Sequence, residues 1–413
     1  MSQPRNPSQP STLTTRPASS ASGNFFSVDW RCVQEAARHG DGVSSACAYI
    51  ALARHTRGMT GNTTAAATAV NARTGLTMGR ASLALKHLEA AGLLSVPKRG
   101  TLRKLATWGE VLAAKAALTP RQQRAMDRFK RGAEPITASA DPDYQAASAL
   151  AQKGILTATD APQGKPRFRQ IEPDLVWLPN TLVDGFNGAD APLVRLRQMR
   201  DVRAIRLLLD VYRFSNLPEN GGIHPSVIRD KFKRIDVGKR GPYTVWAFGH
   251  DGSSAAWDPL VTPFLGSRKT PEEREAASQE FWTVWGHLRT AGLIEVVMYL
   301  FEDDTVGAQA LHACSIDHAT DEEVAVGRAA WNAASRMVSE EQFKRAIKEV
   351  GTVAALVPVQ TWRSNVQCYG IARPMHRPHT KKTGAWAATF LKANAEHAVI
   401  FEQLHQERER SVA

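Results

Sequence analysis

Cysteine is scarce: Cys32, Cys47, Cys314 and Cys368 are scattered over 413 residues with no CxxC pair. That pattern excludes a zinc ribbon and a disulfide framework, and it suits a reducing cytoplasm. Long apolar runs are missing as well. No uninterrupted stretch reaches the roughly 18 residues of a membrane span, so no membrane partner is expected. Residues 1–24 contain no acid and no secretory-type apolar core, and they read as a disordered tail rich in Ser, Pro and Thr. A GxxxxGK[ST] phosphate loop and a GxSxG elbow are absent, which removes sequence support for nucleotide hydrolysis and simple serine hydrolysis. The sets His312, Cys314, His318 and Cys368, His376, His379 lack zinc spacing. The expectation is a protein that is not an enzyme and that uses no cofactor and no metal.

Acidic residues are the next deficit, and their absence is local. The whole chain carries +12 with a pI near 9.7. Over 51–104 there are nine cations (Arg54, Arg57, Arg73, Arg80, Lys86, Lys98, Arg99, Arg103 and Lys104) against Glu89 alone. An excess of one sign on one segment favours a polyanionic partner, nucleic acid before membrane.

The apolar spacing of that segment predicts a core helix over 43–55, then a helix over 63–74 with Asn62 as N-cap and Gly75 as stop. Thr77 caps a longer helix to Ala91, and Gly92 ends it. Strands over 93–96 and 101–107 follow, joined by the turn 97–100, with Leu83, Leu85, Leu88 and Leu93 facing inward. Three helices and a hairpin are the elements of a winged helix-turn-helix, and a further helix is expected over 108–131.

A decapeptide is written twice. HLEAAGLLSV starts at His87 and HLRTAGLIEV starts at His287, with six of ten positions identical. Before the second copy the pattern predicts helices over 194–214, 223–232 (Pro225 in its first turn) and 271–291, with an insertion at 243–270 and a hairpin over 293–301 and 309–316. The expected architecture is therefore mainly α with small β-hairpin wings (α+β): two winged helix-turn-helix domains plus C-terminal helices. Its boundaries are a tail at 1–24, a first domain at 25–132, a linker at 133–175, a second domain at 176–320, and a C-terminal helical region at 321–413 with a basic arm at 373–382.

Reading DNA with a third helix requires cations or neutral polar groups on its outer face and cations on the wing. The first copy qualifies. Its candidate DNA contacts are Arg73, Thr77, Met78, Gly79, Arg80, Ser82 and Lys86 on the helices, with Lys98, Arg99, Arg103 and Lys104 on the wing. Over 224–301 ten cations meet nine acids, and Glu272, Glu273 and Glu275 open the third helix, so the second copy is not expected to enter a major groove. Secondary backbone contacts are assigned to Lys231, Lys233, Arg234, Lys239, Arg240, Arg377, Lys381 and Lys382. Phe281, Trp282 and Trp285 read as core. The closing helix at 386–410 lines up Trp386, Phe390, His397, Phe401 and Leu404, to dock on the second domain or pair with another subunit.

The stretch TGLTMGRASLALKHLEAAGLL, Thr74 to Leu94, resembles the helix-turn-helix core of many bacterial regulators. Two winged units behind a long tail are similar to plasmid replication initiators. VWLPNTLVDG and YGIARPMHRPHT resemble stretches of uncharacterised proteobacterial proteins of mobile elements, a likeness that implies no activity. Together these imply a cytoplasmic, nucleoid-associated protein that binds specific double-stranded DNA as a transcriptional regulator. The alternatives are an initiator of plasmid or integrative-element replication, and an interaction scaffold that does not bind DNA. A homodimer or protein partner would use the second domain or the C-terminal helix.

Overall fold

The computed structural model describes residues 25–412 except 57–60, 97–101, 131–135, 137–140, 160–165, 187–189, 216–220, 257–259, 267–269, 306, 318 and 378–380. The expected tail lies outside the described residues. The chain opens with β1 (Phe25–Asp29) and α1 (Trp30–Ala36), then α2 (Val43–Arg54) and β2 (Asn62–Thr63). Next come α3 (Ala67–Thr74), α4 (Met78–Ala90), β3 (Leu94–Ser95) and β4 (Arg103–Leu105). The α3 start differs from expectation. Asn62 and Thr63 pair with Lys104 and Arg103, so the expected N-cap belongs to a strand, and the helix begins only after Ala66. The small sheet runs β2-β4-β3. Leu85, Leu88 and Leu93 are buried as expected, whereas Leu83 faces outward with about half its surface exposed (51%).

The expected helix over 108–131 is two: α5 (Trp108–Lys115) and α6 (Pro120–Lys130). Ala117 between them has φ +45°, which no helix tolerates, and Pro120 restarts the helix at a position where its missing N–H costs nothing. The expected linker at 133–175 carries its own elements: α7 (Tyr144–Gln152), β5 (Leu156–Thr159) and β6 (Arg167–Gln170). Ala125, Met126, Phe129, Ile136, Ala147, Leu150, Ile155 and Phe168 close a core around them. Alanine-rich sequence read as spacer because its apolar surface is thin; small side chains nevertheless pack α7 closely on α6.

β7 (Leu175–Pro179) returns to pair with β1, so the two ends of this segment meet in one core. The helices α8 (Thr181–Asp184), α9 (Pro192–Gln198) and α10 (Val202–Phe214) follow. The single helix expected over 194–214 breaks at Arg200, where φ is +54°, and Asp201 caps the new start by accepting from the Arg203 N–H at 2.8 Å.

The largest departure comes next. The expected helix over 223–232 gives way to β8 (Ile228–Arg240), and the expected insertion at 243–270 forms β9 (Tyr243–Ala256) and α11 (Thr262–Leu265). Buried Phe232, Ile235 and Val237 are strand residues interleaved with charge, and Gly241 at φ +51° followed by Pro242 makes the two-residue hairpin turn. Then α12 (Pro271–Thr290), β10 (Ile294–Phe301) and β11 (Ala310–Ala313) appear near their expected places.

The C-terminal region is not all helix. After α13 (Asp321–Met337) and α14 (Glu340–Val350) come β12 (Val353–Gln360), β13 (Gln367–Pro374) and α15 (Lys381–Val412). The long strands form one antiparallel sheet, β11-β10-β13-β8-β9-β12, in which sequence-distant β10 and β13 pair along their whole lengths. A mixed α and β architecture is thus present, with a large sheet where a second three-helix unit was expected. Val326 and Ala330 of α13 and Phe401 of α15 pack with Phe232, Phe248, Leu300 and Val357 of the sheet, so the closing helix docks within the chain. The first core runs from Val28 through α2, α4, α10 and α12 to Ala372, so 28–111 and much of 176–294 share one interior.

Candidate nucleic-acid interface

The α3–α4 turn is set by small and polar residues. Gly75 (φ +65°) ends α3, Leu76 is buried beneath the turn, and the Thr74 hydroxyl donates to the Val70 carbonyl while accepting from the Leu76 N–H. The Asn71 amide also donates to the Leu76 carbonyl. Thr77 then caps α4 by accepting from the Arg80 N–H at 3.4 Å. With Ala81, Ala84, Leu85 and Leu88 turned inward, the opposite face shows Gly79, Ser82, Leu83 and Lys86, flanked by Met78 and Arg80. Leu83 was missed as a surface residue. Its i+4 position from Gly79 was the available signal.

The other expected contacts are held differently. Arg73 reaches Asp184 at 3.4 Å, and Arg54 reaches the same carboxylate at 2.7 Å. His55 lies beside both; burial, then the two guanidinium groups, push its pKa down, so the ring is neutral at pH 7. Arg103 is half-buried and donates to the Ala65 carbonyl at 3.1 Å, bracing β2 against β4. Lys104 pairs with Glu110 at 3.0 Å, and that carboxylate also closes the capping box of α5. Arg73, Arg103 and Lys104 therefore brace the unit, while Thr77, Met78, Gly79, Arg80, Ser82 and Lys86 lie together on its outer face. Lys98 and Arg99 lie outside the described residues.

Several of the secondary candidates are engaged within the chain. Lys233 donates to the Glu349 carbonyl, and Arg234 lies 4.4 Å over Trp246 and donates to the Ser364 carbonyl at 3.0 Å. Lys239 and Arg240 are exposed at the β8–β9 tip, and Lys231 falls on β8. The basic arm expected at 373–382 is not an arm where it is described. Arg373 sits in β13 with 1% of its surface exposed, bonded to Glu295 at 2.7 Å and Glu323 at 2.6 Å. Arg377 is 4.0 Å from Glu295, and Lys381 and Lys382 fall in the first turn of α15. The RP pair reads as extended and solvated; its arginine is instead neutralised between β10 and α13 by carboxylates about 50 and 80 positions away.

The repeated decapeptide does the same local work twice. The Leu93 N–H bonds the Leu88 carbonyl at 2.9 Å, and the Leu293 N–H bonds the Leu288 carbonyl at 3.0 Å, around Gly92 at φ +70° and Gly292 at φ +63°. An L side chain is strained at that φ, hence glycine in both copies. The surroundings differ: β3 stays in a three-stranded hairpin sheet, while β10 runs on into the six-stranded one. On α12, Glu273 closes a capping box with Thr270, and Phe281 and Trp285 are buried as core.

No family model, no characterised protein and no solved structure matches the chain. Among the described residues, no three His, Cys, Asp or Glu side chains are grouped so as to hold a metal ion, and no helix is long and apolar enough to cross a membrane. His312 is buried against His397 and Phe401, Cys314 lies 3.5 Å from Cys368, and His318 and His379 lie outside the described residues.

Proposed function

We propose that the chain binds double-stranded DNA with α4, as a winged helix-turn-helix, and that it acts in the cytoplasm at the nucleoid as a transcriptional regulator. The observation that carries this reading is the outer face of α4. Gly79, Ser82 and Lys86 line it, Arg80 stands in its first turn, and no acid precedes Glu89. Thirteen residues give a helix about 20 Å long, enough to cross a major groove about 12 Å wide. Gly79 has open space where a Cβ would be, so a phosphate or base edge meets no obstruction at the entering end. The order β2-β4-β3 beside α2, α3 and α4 is the order of a winged unit. Arg80 pairs with a guanine edge, an interaction worth roughly 1–3 kcal/mol of discrimination.

The test is selection of bound fragments from the host genome, then titration of the selected duplex and a scrambled one. Arg80→Ala is expected to lower affinity for the selected site by about 5- to 100-fold and for the scrambled one far less. Equal loss on both would remove Arg80 as a base reader, and no binding by the native chain in 50 mM salt would refute the function. Replication initiation is the second reading, favoured by the recurrence of the helix–glycine–strand junction along the chain. It is distinguished by tandem sites near an origin in place of single promoter sites.

A further inference from the structure

The helix–glycine–strand junction occurs a third time, in the segment whose sequence resembles a spacer. At the end of α7, Gly154 has φ +65°, the Gly154 N–H bonds the Ala151 carbonyl at 2.9 Å and the Ile155 N–H bonds the Leu150 carbonyl at 2.9 Å. The same two bonds follow α4: Gly92 to Glu89 at 3.0 Å and Leu93 to Leu88 at 2.9 Å. The sheets agree as well. Ile136 bridges to Phe168 of β6, which pairs with β5, reproducing the order in which β2 flanks β4 and β4 flanks β3. One helix, α7, lies between the bridge and the junction where the first unit has two.

The surface of this unit has the chemistry of a phosphate ligand. Ala146, Ala147 and Leu150 face the core, leaving Gln145 and Gln152 exposed on α7 and Lys153 exposed at its C-cap. Arg167 and Arg169 project on either side of buried Phe168. Arg169 also meets Glu172 at 3.4 Å, an exposed pair of little energetic weight. Among the described residues from 136 to 170 the only acids are Asp141 and Asp143, and Arg128 holds both, at 2.8 and 3.2 Å. The entrance to α7 therefore presents no uncompensated negative charge.

The two units are held at a fixed spacing by α5. A Cβ at Gly92 would lie 3.2 Å from the Ala114 Cβ, and one at Gly109 would lie 3.4 Å from the Ile155 carbonyl oxygen. Val111 is buried in the first core while Leu112, Ala113 and Ala116 pack on the second. One eight-residue helix thus lies between the two junctions and touches both.

We propose that the unit of α7, β5 and β6 forms a second duplex-DNA contact, in which Lys153, Arg167 and Arg169 hold phosphates beside the groove entered by α4. This rests on α4 binding DNA, and it adds a second, rigidly spaced footing on the same duplex.

The test uses the full chain and a fluorescent 30-bp random-sequence duplex, titrated between 50 and 200 mM salt. Loss of three phosphate contacts is expected to flatten the slope of log K against log salt by about 2.7, at about 0.9 per contact, and to weaken binding at 100 mM on the order of 100-fold. The variant is Lys153→Ala/Arg167→Ala/Arg169→Ala; its thermal melt should match the native chain, because all three side chains are exposed. A native slope and affinity in this variant, alongside a loss in Arg80→Ala/Lys86→Ala, would overturn the second contact and leave α4 standing. An equal loss on a 30-nucleotide single strand would overturn the assignment to duplex. Failure of the native chain to bind at 50 mM salt would remove both readings, so the two failures are distinguishable.

Discussion

Replacing Arg373 with Met should be among the most damaging single changes in this protein. The guanidinium is 1% exposed, and it meets Glu295 at 2.7 Å and Glu323 at 2.6 and 2.8 Å. The Tyr299 hydroxyl completes the cluster. Burial pushes the Glu323 carboxyl up, but Arg373 beside it more than offsets this and holds the group at about 2. A carboxylate lowered from 4.5 to about 2 contributes roughly 3 kcal/mol of stability at neutral pH. That contribution is fully present above about pH 4.5 and is lost as pH falls toward 2. Methionine fills the volume and removes the charge, leaving two carboxylates buried without their partner, a change that costs about 3–5 kcal/mol. Without the guanidinium beside it, burial drives the Glu323 carboxyl toward its protonated form, so the deficit should shrink on acidification from pH 7.5 to pH 5. Urea unfolding followed by tryptophan fluorescence measures both quantities. A deficit below about 1 kcal/mol, or one unchanged between the two pH values, would refute the account. Adding Glu323→Gln to Arg373→Met should recover part of the loss by removing one stranded charge.

The two leucines of α4 should separate cleanly in the same assay. Leu88→Ala empties a fully buried site and is expected to cost about 2–5 kcal/mol, while Leu83→Ala, half-exposed on the outer face, should stay within about 0.5 kcal/mol. The cysteines should be inert: all four are buried, and burial pushes Cys32 and Cys47 up to about 12 and raises Cys368 as well. At pH 8 the native chain should not react with an aromatic disulfide reagent within minutes, whereas in denaturant all four thiols should. Rapid labelling of the native chain would contradict their placement.

The cap and stop of α4 and the stop of α12 were readable one residue at a time, whereas the cap expected at Asn62 was overridden by its strand pairing with Lys104. Thr77 before α4, and Gly92 and Gly292 behind α4 and α12, act within one helical turn, so no distant residue overrides them. The outer face of α4 was readable for the same reason, apart from Leu83, whose apolar character pointed inward while its helical phase points outward. The third junction escaped because it shares with HLEAAGLLSV little beyond Leu150, Gly154 and Leu156, too few identities to stand out in an alanine-rich stretch.

What the chain alone determined was local: helix ends, the glycine turns, and a basic segment almost free of acid. Tertiary structure decided what pairs with what. The strand at 228–240 competes with a helix on local grounds and wins because β9 and β13 flank it. Arg73, Arg103 and Lys104 look like free cations until Asp184, the Ala65 carbonyl and Glu110 are brought to them. Arg373 becomes the centre of a buried charge cluster only when β10 and α13 close over β13. A cation's partner sits at a distance in space, and sequence separation does not encode that distance.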